Sequence, residues 1–363
     1  MIRLCCINDT KMILNQKQQK IISIILKHKN VQSSDIYEEL LRIKEDISLI
    51  TVKRILSELV KKDILVVNGS GRSTSYDVDI KGRVFFEVDA HEYCSIDPDK
   101  RYGLKQYNFE LFSSFPREIF TEDELKKLNN ATTRYKSKLK DFPPALQKKE
   151  LERFIIELSW KSSKIEGNTY TLLDTEKLLL DNQVAIGKTK EETQMVLNHK
   201  EAFNFIYKNS EEFENITRKN IEDLHKILTK NLNINYGLRK KIVGVTGSIY
   251  KPLDNVYQIG EAIESLGMMI SKLSDPYSKA LMALLGVSYI QPFDDGNKRT
   301  SRLIADAILL SNNLPPLSYR SVDEKEYKEA ILVFYELNSI NPSKKIFIDQ
   351  YYFTVENYSV FKN

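Results

Sequence analysis

Cysteine is scarce in this 363-residue chain: Cys5, Cys6 and Cys94 are the three, and their spacing fits neither a disulfide framework nor a zinc site. Reduced thiols and a cytoplasmic location are therefore the expectation. Long apolar runs are missing as well. No window approaches the roughly 20 apolar residues of a membrane span, and residues 1–8 lack the apolar stretch of a secretory signal, so no membrane partner is expected. Charge of one sign is also lacking. The 54 Lys and Arg against 50 Asp and Glu leave a net +4, too little to imply a nucleic-acid partner without a local motif. Histidine is rare, with His28, His91, His199 and His225 the whole complement. What remains is 42% hydrophobic and 29% charged, which excludes disorder and allows two or three domains, each with its own core.

The first 80 residues read as three helices and two strands. Residues 15–27 carry Ile21, Ile22, Ile25 and Leu26 at helical spacing. Ser33 or Ser34 caps a second helix through Arg42, with Ile36, Leu40 and Leu41 facing inward. Ser48 opens a third through Lys62, whose apolar stripe is Val52, Ile55, Leu56, Leu59 and Val60. Strands over 64–67 and 75–78 meet across Asn68-Gly69-Ser70-Gly71-Arg72, a run of turn formers. This order resembles a winged helix-turn-helix. The resemblance implies a third helix in a DNA major groove, with Lys53, Arg54, Lys61 and Lys62 near phosphates and Arg72 on the wing. The same fold also serves protein contacts or a homodimer, so both partners stand.

Residues 81–145 read as a connecting region, helical over 121–140, with turns at Asp97-Pro98-Asp99 and Phe142-Pro143-Pro144 and no nameable chemistry. From 146 to 363 the pattern is helix after helix: 149–162, 174–180, 191–208, 217–229, 259–271, 277–290, 297–312, 324–339 and about 346–358. Residues 241–250 interrupt it. They are β-branched, contain Gly244 and Gly247, and predict a short hairpin inside an otherwise helical body.

The informative stretch is Gln291-Pro-Phe-Asp-Asp-Gly-Asn-Lys-Arg-Thr-Ser-Arg302. An apolar helix ends at Pro292, and a short loop delivers Gly296 and Asn297 to the start of the next helix. Free N–H groups and the dipole make such a start an anion site. Gly296 allows a phosphate close to the backbone. Arg299 and Arg302, three residues apart, share a helix face and can both reach phosphate oxygens. Asp295 can hold a magnesium ion bridging those phosphates, and Phe293 points inward to anchor the loop. The bland alternative is a charged, solvated helix start, and the length of the pattern weighs against it.

The stretch resembles the signature of the Fic family, His-x-Phe-x-(Asp/Glu)-Gly-Asn-(Gly/Lys)-Arg-x-x-Arg, at every defined position but the first. The resemblance spans about residues 146–352 and implies a mainly α, all-helical Fic fold with a β-hairpin flap, following the winged helix. It implies transfer of AMP from ATP to a Ser, Thr or Tyr hydroxyl of a protein substrate or of the chain itself. By residue, it assigns Asp295 to Mg2+, Gly296, Asn297 and Lys298 to the phosphate cradle, and Arg299 and Arg302 to the outer phosphates. Val245, Thr246, Gly247 and Ser248 fall in the flap that aligns a target. Upstream, Ser162-Ser-Lys-Ile-Glu166-Gly167 resembles the family's inhibitory helix, (Ser/Thr)-x-x-x-Glu-(Gly/Asn). Ser162 and Glu166 are one helical turn apart, and the resemblance pairs Glu166 with Arg302, which keeps that arginine from the γ-phosphate. Read alone, Ser-x-x-x-Glu is equally a plain helix end.

Gln291 departs from the pattern. The family has a histidine there that takes the proton of the attacking hydroxyl, a contribution of about 10²–10⁴-fold for general-base catalysis. An amide has no usable pKa near neutrality. AMP transfer is therefore expected to be weak or absent while nucleotide binding persists. His199 and His225 lie on helices of this domain and can approach in space, with a structural role expected. Lys298 also occurs in the phosphate-transferring Doc branch, whose chemistry still needs the missing base. A non-catalytic nucleotide sensor acting through the winged helix on DNA is the competing reading.

Overall fold

Side-chain caps set most of the helix starts. Asn15 and Gln18 exchange side-chain-to-backbone hydrogen bonds of 3.0 Å to open α1 (Gln16–Lys27), the reciprocal arrangement that satisfies two orphan N–H groups. Gln32, rather than Ser33 or Ser34, precedes α2 (Ser33–Arg42), and the Asp35 carboxylate takes its N–H at 3.0 Å. Ser48 Oγ accepts from Thr51 N at the start of α3 (Leu49–Lys61). The structure, a computed structural model, describes residues 14–28, 30–140 and 143–359. The expectations for Cys5, Cys6, the first residues and Phe142 lie outside these.

The winged helix is completed by β1 (Leu65–Asn68) and β2 (Ser75–Val78), antiparallel with Leu65 opposite Val78 and Asn68 opposite Ser75. Val31 adds a single antiparallel bridge to Tyr76. Ile22, Ile36, Leu40, Val52, Leu56 and Leu59 close the core almost completely. Leu41 departs from expectation: it is 47% exposed, because the buried stripe of this short helix is Ile36 and Leu40, and the next position is turned about 100° away.

The stretch expected merely to connect packs into two cores. It holds α4 (Ile80–Val84), α5 (Ala90–Ser95) and α6 (Glu122–Leu139). Val84, Leu111, Phe112 and Phe120 join the large helical core, whereas Phe86 and Tyr93 join the winged-helix core. The helical body follows as α7 (Pro144–Ile165), α8 (Leu172–Asp181), α9 (Lys190–Lys208), α10 (Arg218–Leu228) and α11 (Val256–Lys272). Then come α12 (Pro276–Ile290), α13 (Asn297–Ser311), α14 (Glu324–Leu337) and α15 (Asn341–Asn357). Between Tyr277 and Ile290 every residue but Lys279 is buried, so α12 has no solvent face and forms the axis of the body. A Cβ on Gly286 would come within 2.3 Å of Leu266, so glycine is what lets α11 approach α12.

The hairpin expected over 241–250 is not formed as paired strands. A turn closes it, with Ser248 N on Val245 O at 3.1 Å, and Lys251 N reaches sideways to Lys105 O at 2.9 Å. β-Branched composition gave the wrong element because the segment's backbone groups go to partners outside it.

Two residues of α14, Val333 and Leu337, belong to the winged-helix core. The winged helix is thus not tethered by a linker but shares a helix with the body. Truncating Leu337→Ala is expected to cost about 2–5 kcal/mol, the usual range for a buried Leu→Ala. In urea unfolding, signals from the winged helix and from the body should both shift to lower denaturant. A shift confined to one would contradict the shared core.

Candidate functional site

Gln291 ends α12 in the left-handed conformation (φ 51°, ψ 59°), a common way to stop a helix before a proline. Its amide is fully engaged. Nε2 donates to Ser288 O at 2.6 Å and to Tyr335 Oη at 3.2 Å, while Oε1 accepts from Asn297 Nδ2 at 3.1 Å. Asn297 in turn closes the loop on itself, accepting from Phe293 N and donating to Phe293 O, both at 2.8 Å. Phe293 is wholly buried and stacks on the His225 ring at 3.7 Å. Arg239 stitches the loop from the other side: its backbone N–H goes to Pro292 O at 3.0 Å and its Nε to Gln291 O at 2.6 Å.

Gly296 precedes α13 with φ 82° and leaves that helix without a side-chain cap. His225 packs under it, with Nε2 against Asp295 O at 2.9 Å, which makes Nε2 the protonated nitrogen. Arg299 is buried, yet its Nε and Nη1 have no hydrogen-bond partner among the described residues. Only Nη2 is used, at 3.3 Å from the exposed Asp295 carboxylate. Burial lowers the Arg299 pKa from its ordinary value, opposed by Asp295 and Glu166. A buried guanidinium with idle donors beside an uncapped helix start fits an anion, so the residues suit a phosphate group. Asp295, on the rim, suits a cation bridging that phosphate to solvent. No group of three or more His, Cys, Asp or Glu that could hold a metal alone occurs among the described residues.

Arg302 is the opposite case. It is entirely buried, and all three guanidinium nitrogens are occupied by the end of α7. Nε donates to Ser162 Oγ at 2.9 Å, Nη2 to Ser162 O at 2.8 Å and Nη1 to Glu166 Oε1 at 2.9 Å. Tyr319 and Tyr327 flank it, with ring centroids 6.0 and 5.6 Å away. The second Glu166 oxygen lies 3.8 Å from Lys298 Nζ. Burial alone would raise the Glu166 pKa, but Arg302, Lys298 and Arg299 together hold it below the ordinary carboxylate value. Gly167 explains itself: its φ is 96° and a Cβ there would meet nothing, so glycine serves the left-handed turn after Glu166 and not a tight contact.

Sequence reading therefore found the residues that the structure brings together: Gln291, Asp295 to Arg299, Arg302, Ser162 and Glu166. It missed Arg239, Tyr335 and Tyr327, which contact the loop or Arg302 from remote segments and carry no local pattern. Val245 to Ser248 lie in the extended segment described above, with Thr246 and Gly247 exposed. On the winged helix, Lys53, Arg54, Lys61, Lys62 and Arg72 are exposed, Lys62 in an ion pair with Glu58 at 2.7 Å.

His199 on α9 is wholly buried with neither ring nitrogen hydrogen-bonded. Burial first, then the charges of Arg302 and Arg299, hold its pKa well below the ordinary imidazole value. The folded protein keeps it neutral while the unfolded chain takes a proton near pH 6.5. Stability is thus fully present above that pH and declines as pH falls below it. Urea titrations at pH 7.5 and 5.0 are expected to differ by about 1–2 kcal/mol, at about 1.4 kcal/mol per pH unit of one unmatched proton. A His199→Leu variant should show a smaller difference, and an equal one would remove His199 as the cause.

Comparison with known proteins agrees with this geometry. The Fic/DOC family model matches residues 215–309, and the penicillinase repressor model matches residues 14–103. A protein adenylyltransferase Fic of Aedes aegypti is 28% identical over 217 residues, covering 59% of this chain and 43% of the relative. The protein adenylyltransferase fic-1 of Caenorhabditis elegans is 25% identical over 175 residues, 47% of this chain and 34% of the relative. The chain thus spans less than half the length of these curated relatives. Among solved structures, Fic-1 of C. elegans superposes with a TM-score of 0.54 at 21% identity, over 65% of this chain and 70% of that one. A Fic domain containing signaling protein of Bacteroides thetaiotaomicron also gives 0.54 at 21% identity, over 64% and 94%. At such identities the superpositions establish the fold. The chain carries a Fic/DOC domain with the Fic fold, placed behind a winged helix similar to that of penicillinase repressors.

Proposed function

We propose that the chain is a Fic-type ATP-binding protein, an AMP transferase scaffold held inactive by Glu166 and weakened further by Gln291. The observation that carries this reading is the contrast between the two arginines. Arg299 keeps two buried donors idle, whereas Arg302 spends every nitrogen on Ser162 and Glu166. A triphosphate needs both, so the α7 contacts oppose productive binding by competing for Arg302.

In AMP transfer a hydroxyl oxygen bonds to the α-phosphorus, the α–β anhydride bond breaks, and pyrophosphate leaves with the electron pair. Gly296, Asn297 and Lys298 would hold the phosphates, Arg299 and Arg302 the outer negative charge, and Asp295 a magnesium ion. That ion, when bound, supplies charge neutralisation. The hydroxyl proton has no taker: both Gln291 N–H groups are already donated and its oxygen is not basic. Val245 to Ser248 would align the target hydroxyl, on a protein or on the chain itself.

A second reading follows from the same saturated amide. With no base, ATP binding itself becomes the signal, and the exposed Lys53, Arg54 and Arg72 make the winged helix its DNA-binding output.

Calorimetric titration of ATP with magnesium is expected to bind about tenfold more tightly to Glu166→Gly than to the parent, about 1.4 kcal/mol. Equal affinities would remove the inhibitory role of Glu166, and no binding to either would remove the nucleotide site. With labelled ATP, Glu166→Gly alone should incorporate little label, and Glu166→Gly with Gln291→His should incorporate about 10²–10⁴-fold more. Strong labelling without the histidine would show that Gln291 is tolerated in catalysis.

A further inference from the structure

The flap lacks the strand pairing that would hold it, so something else must. Its tip is held by two buried charged residues outside both sequence motifs. Arg101, 7% exposed, donates Nη1 to Gly247 O at 2.9 Å and to Glu336 Oε1 at 3.2 Å. Its other donors go to Ile96 O at 2.8 Å and Cys94 O at 3.0 Å. Glu336, 1% exposed on α14, accepts from Arg101, from Tyr93 Oη at 2.8 Å and from the Ser248 hydroxyl. Ser248 Oγ also accepts from Tyr250 N at 3.1 Å. Arg101 thus holds the flap by a backbone carbonyl, and Glu336 holds it by the next side chain.

We propose that Arg101 and Glu336 are the positioning pair of the flap, fixing residues 247 and 248 from the winged-helix side of the molecule. The pair stands on elements of that side: Tyr93 lies in the winged-helix core, as do Val333 and Leu337 of the helix that carries Glu336. Neither residue touches the phosphate loop. The adjacent Tyr335 does, through Gln291, so one turn of α14 sets both the flap and the loop end. A lysine cannot replace Arg101, because one ammonium cannot span two carbonyls of the 94–96 turn, the Gly247 carbonyl and a carboxylate in the fork geometry of a guanidinium. The inference rests on reading the flap as the target-aligning segment.

The test uses the full chain carrying Glu166→Gly and Gln291→His, with Arg101→Lys, Glu336→Gln or Ser248→Ala added singly. Hydrogen exchange over residues 241–250 is expected to rise at least tenfold in Arg101→Lys and less in Glu336→Gln, whose amide oxygen still accepts from Ser248. Exchange over 297–311 and the affinity for ATP with magnesium should stay unchanged, while incorporation of labelled AMP falls. Ser248→Ala, which leaves the buried pair intact, should loosen the flap mildly and guards against a fold too damaged to read. Unchanged flap exchange in Arg101→Lys overturns the proposal. A rise throughout the body with weaker ATP binding also overturns it, since the pair would then be a general stabiliser. A looser flap with undiminished labelling leaves the pair as the flap's anchor and overturns the target-aligning role instead.

Discussion

A guanidinium with no exposed surface, that of Arg302, dictates how the end of α7 must lie. Such a charge cannot be left without partners, because removing it from water costs several kcal/mol that only close, well-oriented acceptors offset. Ser162 supplies a hydroxyl and a carbonyl, Glu166 the opposite charge, and the rings of Tyr319 and Tyr327 present their negative faces. Each partner arises from the same need. The two α7 residues must sit one turn apart to face one arginine, and the chain must then turn away at once, which Gly167 permits. A phosphate that displaced Glu166 would satisfy the same requirement. Inhibition and binding are therefore two solutions to one burial problem, and the charge on Arg302 is never left alone in either.

Gln291 fits the loop for an analogous reason. A helix end with positive φ, a proline next to it and a buried phenylalanine two residues on leave little freedom, and the loop has to satisfy its own polar groups. The amide does so with two donors and an acceptor, bridging the last turn of α12, Tyr335 and Asn297. The residue that removes the base thus keeps the cradle's shape. Loss of catalysis does not imply loss of the site, because proton transfer and phosphate binding draw on different atoms.

Much of this was legible from local pattern. Ser48, Thr217 and Gly296 mark helix starts by short-range hydrogen bonding or a special φ, and the spacing of Ser162 and Glu166 places both on one face. Leu41 was misassigned because period alone cannot say how wide a buried stripe is. The flap was misassigned because β-branched residues beside glycines suit extended backbone, whether or not a partner strand exists. Arg239, Tyr335 and the Arg101–Glu336 pair escaped notice for a different reason. Glu336 is 235 residues from Arg101, and nothing near either residue in the chain announces the meeting. A charged residue in a helix reads as solvated surface until a fold buries it.

The helix that carries Glu336 joins these strands of argument. At its first residue, Glu324 pairs with Lys161 at 3.0 Å on the inhibitory helix. One turn on, Tyr327 lies against Arg302; two turns later Tyr335 holds Gln291 and Glu336 holds the flap. Val333 and Leu337 enter the winged-helix core. These contacts occupy different faces of a rod roughly 20 Å long at 1.5 Å per residue. A straight, packed helix does not bend to satisfy one contact alone, so displacing its winged-helix end must disturb its contacts with the flap, Gln291 or the inhibitory helix. Two domains joined by a flexible linker would escape that constraint. Here the winged helix and the nucleotide loop share a wall, and the geometry of one limits the geometry of the other.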